Sequence, residues 1–174
     1  LAILWTSERG EEVKTTFKEF KEQTDRTAAY LMSLGIGRGD KVMLILKRRY
    51  QWWLSMMALC KIGAIAIPAT HMLTKQDIIY RNDSASVKAI ICANDGYVTT
   101  QIQSAMPESP SVKLLVAVNS MSEYDKPIPE GFHDWHKEWI NAPEFKRPDN
   151  VNSNEDTMLM YFTSGTSGEP KMVA

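Results

Sequence analysis

The stretch VMLILKRRYQWWLSMMALCKIGAIAIP, residues 42–68, decides the fold. Residues 42–46 are apolar without alternation, as a strand covered on both faces requires. From Gln51 the apolar positions recur at helical spacing until Gly63, a residue suited to ending a helix. Residues 64–68 form a second short apolar run, closed by Pro68. Strand, helix and strand in immediate succession predict a parallel pair joined by a crossover helix. Within that helix, one of Trp52 and Trp53 is expected in the core and the other at its edge. The basic block LKRRY, residues 46–50, is expected to be a solvated strand end.

The alternation extends in both directions. Upstream, residues 2–5 and 13–17 read as two short strands with a turn at residues 8–11. Thr16 and Glu19 have capping-box spacing. Phe17, Phe20, Ala28, Leu31 and Leu34 then supply a helical apolar stripe, with Thr24 and Thr27 in its gap and Gly35 at its end. Downstream, Thr74 and Asp77 open a helix to about residue 83. Residues 87–93 and 112–118 are apolar strand runs with a helix, residues 94–104, between them. Over residues 119–154 prolines fall at 127, 129, 143 and 148 and periodicity fades, so an irregular connection with one short helix near residues 135–140 is expected. Residues 158–162, MLMYF, form a final strand. The fold class is therefore α/β, a mostly parallel sheet flanked by helices.

Composition narrows the function. The chain has 174 residues and a formal net charge of −1. That length supports one domain with a core, and that charge offers nothing to nucleic acid or an anionic membrane surface. No apolar run reaches the length of a membrane span. Cys60 and Cys92 lack metal or redox spacing and are expected as buried free thiols in a reducing compartment, hence a cytoplasmic location. The sequon at Asn82 is read as chance. His133 and His136 lack further ligands, so no metal site is expected there, and His71 is placed in a loop beyond a strand end. The chain opens on Leu1 and closes inside an apolar run, and is expected to be a piece of a longer protein.

The final strand runs into TSGTSGEPKMV, residues 163–173. A Gly-rich loop after a strand is where α/β proteins bind ligands. Gly165 and Gly168 let backbone N–H groups converge on an anion. Thr163, Ser164, Thr166 and Ser167 offer hydroxyls, Pro170 stiffens the exit and Lys171 supplies a compact positive charge. These parts suit polyphosphate. The P-loop pattern does not fit, because the glycines are too close and Lys171 is followed by Met172 instead of a hydroxyl residue. A flexible linker would account for the composition but not for the apolar runs on both sides.

The segment YFTSGTSGEPKMV resembles the phosphate-binding signature of the adenylate-forming, AMP-binding superfamily, [Tyr/Phe]-Thr-Ser-Gly-Thr-Thr-Gly-x-Pro-Lys-Gly. Ser167 replaces the second Thr and keeps its hydroxyl. Met172 replaces the last Gly and is similar to the acetyl- and medium-chain acyl-CoA synthetase branch. The segments GRGDKVML, WWLSMMALCKIGAIAIPATHMLTKQDIIYR and KAIICA resemble the series preceding that loop, so the likeness covers the chain.

The resemblance implies an AMP-forming ligase. A small carboxylate, acetate or a short- to medium-chain fatty acid, is joined to AMP from ATP with Mg²⁺, and the acyl group passes to coenzyme A. Thr163, Ser164, Gly165, Thr166, Ser167, Gly168 and Lys171 would hold the ATP phosphates, with Lys171 acting in the chemistry itself. Residues 1–174 would be part of a large N-terminal domain, inactive alone, with the adenine, Mg²⁺ and coenzyme A contacts supplied downstream. An aryl-acid ligase, a carrier-protein loader and a non-catalytic nucleotide-binding module are the alternatives. The oligomeric state stays open.

Overall fold

A computed structural model describes residues 1–7, 9–149, 152–163, 168 and 170–174. At its centre is a five-stranded parallel sheet of β3 (Lys41–Ile45), β4 (Ile65–Pro68), β5 (Ala89–Ala93), β6 (Leu114–Val118) and β7 (His133–Asp134), in the order β4-β3-β5-β6-β7. The register sets Val42 beside Ala66 on one side and Ala89 on the other. An antiparallel pair, β1 (Ile3–Thr6) and β2 (Glu12–Thr15), precedes it.

Helices cover both faces. The alternating sides of the strands make two apolar clusters. Val42, Leu44, Ala66, Ile91 and Val116 face α1 (Phe17–Ser33), α2 (Gln51–Ile62) and α5 (Trp135–Trp139). Met43, Ile45, Ile67, Ile90 and Cys92 face α3 (Lys75–Ala85) and α4 (Tyr97–Ala105). The chain moves one way from β3 to β4, then reverses over β3 to reach β5. Right-handed crossovers require the helix to change face at such a reversal, and α3 lies opposite α2 accordingly.

Local signals set the helix boundaries. Thr16 with Glu19 and Thr74 with Asp77 form complete capping boxes. At the end of α1, Gly35 adopts φ 84°, its N–H meets the Met32 carbonyl, and the Ile36 N–H reaches back to Leu31. These two hydrogen bonds satisfy carbonyls the helix leaves open and seat Ile36 against the core. Thr24 and Thr27 are buried because each hydroxyl donates to a carbonyl of its own helix. Trp52 packs against the core and Trp53 is half exposed. Asn82 is buried and donates to the Ser109 hydroxyl at 3.0 Å, so the sequon is a core amide. Cys92 is buried and Cys60 partly so, both as free thiols.

Several expectations need correction. Phe17 is 76% exposed. As the first helical residue it points off the end of the stripe. Within residues 119–154 the structure adds β7, which pairs with Val116 and Ala117. MLMYF is not one buried strand. Around Leu159 it runs parallel to β4, bonded on both sides of Ala66 at 3.1 and 3.0 Å. It then becomes β8 (Tyr161–Thr163), which pairs antiparallel with β9 (Lys171–Val173). Met158, Tyr161, Met172 and Val173 stay substantially exposed.

Candidate active site

The chain reverses direction between β3 and β5, and a crevice opens outside their carboxyl ends, as open parallel sheets dictate. A cleft of about 920 Å³ lies there, bounded by the residues after β3, β4, β5 and β6 and by the β1–β2 pair. That volume is within the ordinary range for small-molecule sites.

The block LKRRY builds much of this cleft. Lys47 has φ 51° and its ammonium contacts the Asp95 carboxylate across the gap between β3 and β5. The contact is an ion pair without an aligned hydrogen bond on that oxygen. Burial pushes the Asp95 carboxyl up, but the Lys47 ammonium, the Val98 N–H and the Arg49 charge together hold it below the usual carboxylate range. The Arg49 Nε donates to the Val118 carbonyl at 2.9 Å. Burial lowers its pKa from the ordinary guanidinium value. Burial also pushes the Tyr50 phenol up, helped by Tyr124. The expected solvated strand end therefore holds only for exposed Lys47 and Arg48. Basic residues directly after a buried strand were the signal for the rest.

Aromatic and amide groups complete the walls. The Trp5 indole N–H donates to the Arg48 carbonyl, and its ring meets Tyr50 edge-on at 5.7 Å. Asn94 and Asn119, at the ends of β5 and β6, are buried and joined amide to amide at 2.7 Å. Asn119 also donates to the Tyr124 and Lys126 carbonyls, which shapes the residue 120–126 wall. His71 lines the cleft. The other two histidines have structural partners. His133 meets the Glu138 carboxylate at 2.9 Å, and His136 contacts the Asn119 carbonyl at 3.2 Å, its pKa lowered chiefly by burial. Among the described residues no three His, Cys, Asp or Glu side chains converge on a possible metal position.

The Gly-rich loop leaves from the same end of the sheet, because residues 158–160 run parallel to β4. Of its predicted contacts, Thr163 and Lys171 face each other across the first pair of the β8–β9 ladder. The Thr163 hydroxyl lies 3.4 Å from the Lys171 carbonyl, and both side chains are exposed. Gly168 is exposed with φ 116°, backbone that favours glycine. Ser164, Gly165, Thr166 and Ser167 lie outside the described residues.

Comparison with known proteins bears on the family and the fold. The family description "AMP-binding enzyme" matches residues 2–174. Mouse mitochondrial acyl-coenzyme A synthetase ACSM4 is 32% identical over 98% of the chain, and rat mitochondrial ACSM5 is 33% identical over 99%. Mitochondrial ACSM3 of Pongo abelii is 34% identical over 99%. The chain spans 28% of the length of each of these relatives. Two solved structures share the fold: a Brucella canis acyl-CoA synthetase (TM-score 0.80, 22% identity, 98% of this chain and 29% of that one) and the anthranilate CoA ligase AuaEII (TM-score 0.81, 21% identity, 94% and 29%).

The expected cytoplasmic location is overturned, since the curated relatives are mitochondrial. Reduced, buried thiols do not separate one reducing compartment from another, and that was the physical weakness of the expectation. With the family description matching residues 2–174, the chain belongs to the AMP-binding enzyme family.

Proposed function

We propose that the whole protein is an AMP-forming acyl-CoA synthetase for acetate or a short- to medium-chain fatty acid, and that residues 1–174 supply part of its N-terminal domain. The observation carrying this is the Thr163–Lys171 loop at the carboxyl end of the parallel sheet, in a chain whose curated relatives are acyl-CoA synthetases. In the first half-reaction a carboxylate oxygen attacks the α-phosphorus of ATP, and the bond to the β-phosphate bridging oxygen breaks. The acyl-adenylate forms and pyrophosphate leaves. No proton moves, because the nucleophile is already an anion. In the second, the coenzyme A thiol loses its proton to solvent, its sulfur attacks the acyl carbon, and the carbon–oxygen bond to AMP breaks, so that AMP leaves.

Residues of this loop would serve the first step. Lys171 would neutralise charge on the leaving pyrophosphate. The hydroxyls of Thr163, Ser164, Thr166 and Ser167 would donate to phosphate oxygens, and Gly165 and Gly168 would let the backbone approach. Donors already in place need little reorganisation as charge builds. Mg²⁺ would travel with the ATP phosphates, and no described residue cluster is assigned to it. The neighbouring cleft, lined by Lys47, Arg48, Arg49, Trp5 and Tyr50, suits an anion with an apolar or aromatic body, the class to which nucleotides and coenzyme A belong.

The test is carboxylate-dependent ATP–pyrophosphate exchange on the full-length protein, with acetate, butyrate, hexanoate and benzoate, beside Lys171→Ala. Exchange with an aliphatic acid that falls about a hundredfold in the variant supports the proposal, a loss typical of removing one charge-stabilising donor. Exchange with benzoate alone would move the aryl-acid ligase forward. ATP binding without exchange would move the non-catalytic module forward.

A further inference from the structure

One turn of α3 grips both stems of the Gly-rich loop. The Tyr80 hydroxyl donates a 2.7 Å hydrogen bond to the Pro170 carbonyl. The Tyr80 ring meets Phe162 edge-on, with centroids 6.1 Å apart. The Arg81 guanidinium lies 5.1 Å from the centre of the same Phe162 ring. It also donates to the Asp77 carbonyl at 3.2 Å, on its own helix. Phe162 immediately precedes Thr163, and Pro170 immediately precedes Lys171. Two adjacent residues of one helix therefore hold the residue before the first phosphate contact and the residue before the last.

The helix that does this is itself firmly seated. Its start is locked by the Thr74–Asp77 capping box, and Ile78, Asn82 and Ala85 are buried on its core face. The β8–β9 pair is less firmly held: among the described residues it is steadied by residues 158–160 beside β4 and by Phe162 against the apolar cluster under α3. It is two short strands with largely exposed side chains, and an isolated pair of that size is marginal in water. Tyr80 and Arg81 add an anchor at its loop end.

We propose that Tyr80 and Arg81 are positioning residues of the nucleotide site, setting the spacing of Thr163 and Lys171 before ATP arrives. The proposal rests on the assignment of the loop to ATP phosphates. A stem already fixed does not have to be ordered on binding, so the gain appears as affinity for ATP. Neither residue is assigned a contact with reacting atoms.

The test uses the full-length protein with Tyr80→Phe, which removes one hydroxyl and keeps the ring on Phe162. Arg81→Gln is the companion variant, and Lys171→Ala is the control for the loop. In ATP–pyrophosphate exchange, KM for ATP is expected to rise about fivefold in Tyr80→Phe, the factor an ordinary hydrogen bond contributes. KM for the carboxylate, Tm and the rate of acyl transfer from supplied acyl-adenylate to coenzyme A should hold. An unchanged KM for ATP in both Tyr80→Phe and Arg81→Gln overturns the proposal. So does a parallel loss of Tm and acyl transfer, which would mean a structural role only. If Lys171→Ala weakens ATP use while the two helix variants do not, positioning alone has failed. If Lys171→Ala has no effect, the phosphate assignment fails and this proposal falls with it.

Discussion

The Lys47 ammonium meets the Asp95 carboxylate across the mouth of the crevice where the sheet reverses direction. Lys47 follows β3 and Asp95 follows β5, so the pair ties together the two strand ends that frame the cleft. Asp95 also accepts the Val98 N–H at the start of α4. Its side chain is 16% exposed and that of Lys47 35%.

This pair should leave a mark on acid stability. The folded-state pKa of Asp95 is depressed, so its contribution is present above the unfolded carboxylate value, about 3.9, and is lost as pH falls through the lower folded value. Partial exposure limits the effect to about 1 kcal/mol. Urea midpoints measured from pH 6 down to pH 3 should fall less steeply in Asp95→Asn than in the native protein. Identical slopes would show that the pair adds nothing.

The buried amide pair predicts a larger and more local effect. Asn119→Ala leaves one N–H of the buried Asn94 amide without its acceptor, the other keeping the Pro127 carbonyl at 3.1 Å, and removes the donor to two carbonyls that now accept from Asn119, at 3.0 and 2.8 Å. Leaving buried polar groups unpaired costs about 1–3 kcal/mol. Amide hydrogen exchange over residues 120–126 should speed up at least tenfold, while α1 amides keep their protection after correction for global stability. Uniform acceleration would mean that the amides hold the whole domain and not this wall.

Much of the fold was legible because its signals are local. Both capping boxes sit within four residues of sequence, and the central strands read as apolar runs because helices cover both faces. The expectations failed where partners are distant. β7 is two residues long, His133 and Asp134, and becomes a strand only by pairing with β6. MLMYF divides because Ala66 holds its first half while β9 draws off its second. The proposed phosphate role of the loop rests on residues 163–171 themselves, whereas Tyr80 lies ninety positions from Pro170 and nothing near it announces the contact. Arg49 was misread for the same reason, since its partner is the Val118 carbonyl.

Gly35 offers a clean conformational test. Its φ is 84°, and an added Cβ would meet nothing within 4 Å. Any cost of Gly35→Ala is therefore backbone strain and not a clash, about 1 kcal/mol. Asn tolerates this region better, so Gly35→Asn should recover part of the loss. Urea denaturation of both variants gives the order directly, and equal stability of Ala and Gly would contradict the strain account.

The last prediction concerns the wall formed by β1 and β2. Among the described residues these strands pair with each other and with no other strand, so their position depends on what pins them to the domain. Trp5 is a principal pin: its indole N–H reaches the Arg48 carbonyl and its ring sits on Tyr50. Leu4, on the opposite side of β1, is about half exposed. Trp5→Ala should free the pair without opening the five-stranded sheet, whose core lies in the two clusters across its faces. Hydrogen exchange of β1 and β2 amides should rise tenfold or more while β3 and β5 stay protected. Leu4→Ala, the matched control, should change neither. If Trp5→Ala instead lowers protection in β3 and β5 equally, the wall is part of the cooperative core, and the cleft beside it is more rigid than a two-stranded border would make it.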